Sequence, residues 1–309
     1  MNRWSDLSSS ATAKAAAWMA GWLAQMVVIA VAGREATREL AIFQVMELRS
    51  VIGPLMLYPL VRASGGFASM RTARIRDHAL RNTVHYAAQF GWFAALALIP
   101  LAQVVAIEFT MPIWTALLAL AFLGERITLW KTLAVVLGLV GVALIVRPEG
   151  SGLNPGQVIA LAAALGFAVS VTLTKSLTRS DSAVVIIFWM LVVQSLLGVV
   201  PAIAVWRWPT ASAWGWVLVV AFCGTFSHYC MAQALHHADA TVVVPMDFLR
   251  VPLTATAGWL LYAERMDLFT VLGAALILSG NLLNALRAGV STGASRSERQ
   301  AAPPSSRGD

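Results

Sequence analysis

The sequence predicts an all-α integral membrane protein of ten transmembrane helices, arranged as two inverted five-helix repeats. Three observations predict it. Of 309 residues, 59% are hydrophobic and 12% charged, against roughly 45–50% and about 25% in soluble chains. So few charges cannot coat a soluble surface of this size, and a mean hydropathy of +0.73 excludes disorder. Apolar runs of spanning length recur along the chain, and the second half repeats the first. The net charge of +7 does not point to nucleic acid, because the basic residues fall mainly in loops and tails. Cys223 and Cys230, seven apart in one apolar run, read as buried thiols rather than a disulfide scaffold.

The spans are expected near 15–33, 40–61, 82–99, 102–123, 128–147, 156–174, 183–206, 212–235, 241–263 and 267–286. Each run is about 18–24 residues, enough to cross roughly 30 Å of hydrocarbon at 1.5 Å per residue. The second is the weakest, since it contains Glu47 and Arg49. The first follows Arg3 and Lys14 as a signal peptide would. It is long for a signal segment and nine spans follow, so it is expected to be retained. With the N-terminus inside, fifteen Lys and Arg residues fall on the cytoplasmic side, among them Arg71, Arg74, Arg76 and Arg81. Five fall outside: Arg34, Arg38, Arg147, Arg207 and Arg265. That bias predicts an inner-membrane chain with both termini cytoplasmic. Residues 1–14 form a cytoplasmic leader to the first span, and the polar tail 291–309 is expected to be disordered.

At an offset of 139, IEFTMPIWTALLALAFLGERI lies over MDFLRVPLTATAGWLLYAERM. Glu108 meets Asp247, Phe109 meets Phe248, Thr115 meets Thr254, and Glu125-Arg126 meets Glu264-Arg265. Arg34-xx-Thr37-Arg38 meets Lys175-xx-Thr178-Arg179 at an offset of 141. The repeats cover 15–147 and 156–286. Five spans per repeat is an odd number, so the second repeat enters the membrane from the opposite side. Secondary transporters are built this way, with a site near the midplane where the halves meet.

The stretch from Ala95 to Pro148 resembles the EamA-type drug/metabolite transporter (DMT) superfamily. It carries Leu101-Ala102-Gln103 at the start of span 4, Pro112 within it, the Leu123-Gly124-Glu125-Arg126 turn and a Gly-rich span 5 ending at Arg147-Pro148. The second copy repeats the pattern with Ala263 in place of Gly124. The resemblance covers about 15–286 and is specific for superfamily, not for substrate. It implies a central cavity lined mostly by helices 1, 3, 4, 6, 8 and 9. It also implies carriage of amino acids, other metabolites, nucleotide derivatives or drugs, often outward.

Five ionisable groups lie within spans: Glu47, Arg49, Glu108, Asp247 and Arg250. Each costs about 2.5–3.5 kcal/mol at a helix centre on insertion scales, so such groups face a cavity or a partner. Glu47 and Arg49 are two apart and cannot pair directly; Asp247 and Arg250 are three apart and can. Straight-helix geometry puts Glu108 and Asp247 roughly 6–8 Å from the midplane on opposite sides. They read either as lining the pathway or as structural carboxylates bonded to neighbouring helices. Three acids and two arginines sum to −1, which motivates a proton-coupled or amine-bearing substrate.

Gln89 aligns with His228 at the offset of 139, beside Trp92 and Tyr229. These, with Trp114, complete the candidate pathway, though packing roles remain open for each. Trp189 is a further stacking candidate, whereas Trp206, Trp208 and Trp214 read as interfacial belt. Pro112, Pro245 and Pro252 are candidate hinges or packed kinks. Glu125-Arg126 and Glu264-Arg265 read as helix-end capping and inter-loop pairing. His236-His237 is weak as a metal site.

No HExxH or Walker A motif occurs, and Gly289-Val290-Ser291-Thr292-Gly293, at the start of the polar tail, matches GxSxG in spacing only and is no nucleophile elbow. Adjacent Ser227 and His228 point about 100° apart and form no nucleophile–base pair. The expected function is therefore secondary active transport of a small metabolite or drug-like molecule by alternating access. Export is the first reading, uptake the second, and an intramembrane enzyme the rival class. No cofactor is expected. The expected partners are a small-molecule substrate, the lipid bilayer and protons as coupling ion, with no nucleic acid and a monomer or homodimer as the assembly.

Overall fold

A computed structural model describes residues 3–123, 129–146, 154–237, 243 and 246–283. Pro245, Glu125-Arg126 and the tail 291–309 lie outside the described residues. The chain folds into α1 (Arg3–Glu39), α2 (Ile42–Ala63), α3 (Ile75–Leu98), α4 (Leu101–Glu108), α5 (Met111–Leu123) and α6 (Leu129–Ile145). The second half holds α7 (Pro155–Leu177), α8 (Ala183–Ala204), α9 (Ala211–His237), α10 (Arg250–Tyr262) and α11 (Leu268–Leu283). No strand occurs among the described residues.

Local chemistry sets several helix starts. The Asn154 side chain accepts from Gly156 N, with Pro155 in the first helical turn, and Ser182 caps α8 by accepting from Val185 N. Four stretches are long and apolar enough to cross a membrane: Ala13–Glu39, Pro155–Thr174, Ala183–Ala204 and Ala211–Met231. The 22-residue α2 and 24-residue α3 have the length, but Glu47, Arg49, Asp77 and Arg81 reduce their apolar character. Large apolar side chains are exposed on α8 (Leu196, Val200, Ile203) and α10 (Trp259, Leu260, Leu261). Such surfaces suit contact with lipid tails.

The fourth predicted span is two helices. The chain breaks at Phe109–Thr110, three residues before Pro112, which cannot donate to the Glu108 carbonyl. The Phe109 carbonyl is taken instead by Asn281 Nδ2 at 2.8 Å. The ninth predicted span breaks at the equivalent place. Met246–Asp247 is helical, Phe248–Leu249 is a turn, and α10 begins two residues before Pro252.

Helix pairing carries the repeat. The helix α1 packs along α9, and α3 along α7. Spans 1 and 8 correspond to spans 6 and 3, so these are one contact made twice. The α2–α8 pairing joins an element to its own equivalent, and α4 packs against α10 where the equivalent spans 4 and 9 come together. Helices α6 and α11 approach most closely through glycines. A Cβ at Gly141 would lie 2.6 Å from the Gly273 carbonyl, and one at Gly273 2.5 Å from the Gly141 carbonyl. Neither position admits a larger side chain without parting the helices.

Candidate functional site

The two broken spans meet at Arg250. Its Nη1 donates to Glu108 Oε1 at 2.9 Å, and its Nη2 lies 3.5 Å from Asp247 Oδ2. Its guanidinium stacks 4.7 Å over the Phe109 ring. Each carboxylate also takes a tryptophan N–H: Trp92 Nε1 donates to Glu108 Oε2 at 2.9 Å, and Trp22 Nε1 to Asp247 Oδ1 at 2.6 Å. Thus residues from α1, α3, α4 and the ninth span converge on one cation, whose local charge sum is −1. Charge-assisted bonds of this kind are short and roughly twice as strong as neutral ones.

The depth expected for Glu108 and Asp247 differs from this geometry. Straight helices would hold them far apart; the structure brings both to a single guanidinium. The breaks at 109–110 and 248–249 end the regular rise and redirect the side chains, so sequence distance no longer converts into depth.

A second cluster surrounds Arg49, which is 1% exposed. Its Nη1 donates to Gln89 Oε1 at 2.8 Å and to Gln194 Oε1 at 3.1 Å. Gln194 Nε2 in turn meets His85 Nδ1 at 2.8 Å. Glu47 does not reach Arg49; its Oε1 accepts from Ser195 Oγ at 3.0 Å, and its Oε2 has no partner among the described residues.

Arg81 is not an inner-loop residue. It lies within α3 at 6% exposure, bonded to Thr174 Oγ1 and Asn82 Oδ1. Three acids now face three arginines inside the bundle, so the sum of −1 becomes zero. The charges are nevertheless segregated: two arginines gather on one side of the site, and two carboxylates hold the third.

One face of α3 joins the clusters. His78, Asn82, His85, Gln89 and Trp92 recur at alternating spacings of four and three, and all are buried. That period is a helical stripe. The stripe is legible in the sequence, but a span beginning at residue 82 cuts off its N-terminal part. Trp22, Gln194 and Ser195 were also missed, because nothing local distinguishes a tryptophan or glutamine that meets a charge across the bundle.

His228 faces the Trp22 ring at 6.1 Å, linking α9 to the Asp247 side. Tyr229 meets Trp18 edge-on at 5.9 Å. Trp114 donates to Thr110 Oγ1 at the break of the fourth span. Trp189 donates to the Met70 carbonyl near the N-terminal end of α8.

Glu264 makes contacts between loops and helix ends. It pairs with Arg34 and accepts from Leu101 N at 3.0 Å, the first residue of α4. Arg34 also donates to the carbonyls of Leu96 and Ile99. A cavity of about 720 Å³ lies beside this network, lined by Arg34, Arg38, Pro100, Tyr262 and Glu264 among others. It lies at the helix ends and does not include the buried charges. Ala263 holds φ +53 there, and Glu264 N and Ala263 N close the helix on the Gly258 and Trp259 carbonyls. This is the position that Gly124 holds in the first copy.

On the opposite ends of α3 and α8, Asp181 accepts from Thr72 Oγ1 and meets His78 Nε2 at 2.7 Å. Burial would raise the Asp181 pKa, but the bonds from His78 and Thr72 and the charges of His78 and Arg74 outweigh it. The carboxyl titrates below its ordinary range.

The EamA-like transporter family model matches twice, at residues 14–147 and 154–286. A riboflavin transporter of Rhizobium johnstonii is 32% identical over 218 residues, covering 70% of this chain and 72% of its own. An S-adenosylmethionine uptake transporter of Rickettsia bellii is 25% identical over 240 residues, covering 78% and 82%. A pseudopaline exporter of Pseudomonas aeruginosa is 28% identical over 257 residues, covering 79% and 86%. A solved crystal structure shares the fold with a TM-score of 0.61 at 21% identity, covering 90% of this chain and 97% of that one. The doubled match and the relatives agree with the doubled helix pairing: the chain is a multi-pass membrane protein and belongs to the EamA-like transporter family.

Proposed function

We propose that the chain is a secondary transporter of a small polar metabolite, working by alternating access between two inverted five-helix repeats and coupled to protons. It sits in the inner membrane with both termini cytoplasmic, and it catalyses no chemical step. The observation that carries this reading is Arg250, held between repeat-equivalent carboxylates where both broken spans end. Discontinuous helices at the repeat interface are where secondary transporters bind substrate and coupling ion. With one cation between two acids, protonation of one carboxyl leaves the cluster neutral, and its loss frees the other to re-pair. The Arg34–Glu264–Leu101 network closes the outer end in this conformation.

Export is the proposed direction. Uptake is the second reading, and the uptake transporters among the relatives favour it. Proteoliposomes loaded with or bathed in labelled riboflavin and S-adenosylmethionine, under an imposed pH step, test both. Saturable flux that follows the pH step supports the proposal, and its direction chooses between the readings. Flux indifferent to pH removes the coupling, and conversion of a solute into a new compound overturns transport.

A further inference from the structure

Two fully buried arginines in this chain are treated differently. Arg250 has two carboxylates. Arg49 has none: among the described residues its partners are the neutral oxygens of Gln89 and Gln194. Its Nε has no partner among the described residues. Arg81 lies on α3 one turn before His85, whose Nδ1 meets the Gln194 amide that also holds Arg49. No carboxylate lies within salt-bridge range of Arg49 or Arg81 among the described residues. Burying a cation without a counter-charge is costly, and a cluster of two is more so.

The surroundings are shaped to hold the guanidinium rather than to neutralise it. Gly224 of α9 faces Arg49, and a Cβ there would lie 2.5 Å from Nε. The next residue, Thr225, carries a buried hydroxyl that has no partner among the described residues. His228 follows one turn along. The two glutamines orient the group through Nη1 and leave its Nε edge for another acceptor. A guanidinium edge matches a carboxylate through two parallel hydrogen bonds.

We infer that Arg49, with Arg81 supplying field and Thr225 a further donor, is a binding subsite for the carboxylate of a transported organic acid or zwitterion. This rests on the transport reading. The anion supplies the charge that the bundle lacks. It reaches the Nε edge when α9 draws away from α2, and it is shielded when they close. Substrates bearing a carboxylate are therefore preferred over their uncharged counterparts.

The test uses the full chain in phosphatidylcholine nanodiscs, where no anionic lipid competes. Sodium acetate and benzoate are titrated against acetamide and benzamide, with ionic strength held by sodium chloride, and Tm is read. The acids produce a saturable rise in Tm and the amides none. Arg49→Gln abolishes the rise. Gly224→Ala keeps the charge but displaces the guanidinium, and it weakens acetate binding by about 10- to 100-fold, the loss expected for a charge-assisted hydrogen bond. If Arg49→Gln does not fold, Gly224→Ala decides. No rise in the wild type, equal rises with the amides, or a rise retained in Gly224→Ala overturns the subsite. Proteoliposome flux of S-adenosylmethionine, which bears a carboxylate, is measured separately against its carboxamide. Acid binding without flux would remove the transport reading and leave the subsite standing. Flux equal for the acid and its carboxamide would do the reverse.

Discussion

Phe109 and Phe248 hold equivalent positions in the two repeats, and their rings meet edge to face with centroids 5.5 Å apart. Each sits at the break of its span, and the Arg250 guanidinium lies 4.7 Å from the Phe109 ring centroid. The two halves thus touch through the same residue at the point where their helices lose regular bonding. Edge-to-face pairs contribute about 0.5–1.5 kcal/mol beyond burial. A double-mutant cycle with Phe109→Leu and Phe248→Leu, followed by thermal unfolding, should return a coupling of that size. Simple additivity would mean that the rings only fill space.

Glu108→Gln and Asp247→Asn each remove one acid from the Arg250 cluster and bring its local sum to zero. Both variants should lose the pH dependence of flux while retaining counterflow, in which no net proton moves. Retained pH dependence in both would assign the proton elsewhere, with Glu47 the next candidate, since its Oε2 is buried without a partner among the described residues.

The Arg34–Glu264 pair ties α1 to the end of α10 and, through Leu101 N, to the start of α4. Gly258 makes room for it, because a Cβ there would collide with the Glu264 carboxylate. Glu264→Gln keeps one acceptor but weakens the charge-assisted bonds, at about 1.5–3 kcal/mol for such groups. A cysteine placed at Thr37, in a background lacking Cys223 and Cys230, should then react faster with a membrane-impermeant maleimide. An unchanged rate would mean that the network does not close this end.

Ala263 ends α10 in the left-handed region, where a Cβ costs about 1–2 kcal/mol. Ala263→Gly should stabilise the protein by up to about 1 kcal/mol, since glycine also gains entropy when unfolded. A higher Tm with unchanged Glu264 pairing is the expected result; a lower Tm would show that the alanine methyl packs usefully.

Asp181 offers a pH test outside the spans. Its folded pKa is lowered, so its contribution is complete above the unfolded value of about 3.9. That contribution is lost as pH falls through the lower folded value. Wild-type Tm should therefore drop more steeply below about pH 4 than that of Asp181→Asn, while at neutral pH the variant melts lower. Parallel acid limbs would remove Asp181 from the acid transition.

Much of the architecture was legible because it is written in one dimension. The pairing of Glu108 with Asp247, and of Phe109 with Phe248, follows from a constant offset. Pro112 and Pro252 marked the broken spans to within three residues, because a missing N–H has its effect one turn upstream. The inner-side count of basic residues was less sound at Arg81, since a long arginine at a helix end reads like a loop residue until a neighbouring helix covers it. The α3 stripe was present in the spacing but cut by the span boundary. Trp22 and Gln194 carried no local signal.

The sequence by itself determined the solvent, the number of repeats and which residues are equivalent, because hydropathy and self-similarity are properties of order along the chain. Only the tertiary structure decided that Arg250 is neutralised by two acids while Arg49 is left with two amides. That choice rests on hydrogen-bond distances of about 3 Å. Helix breaks, tilts and side-chain reach move groups by more than that, so charge partners emerge only when the helices are packed.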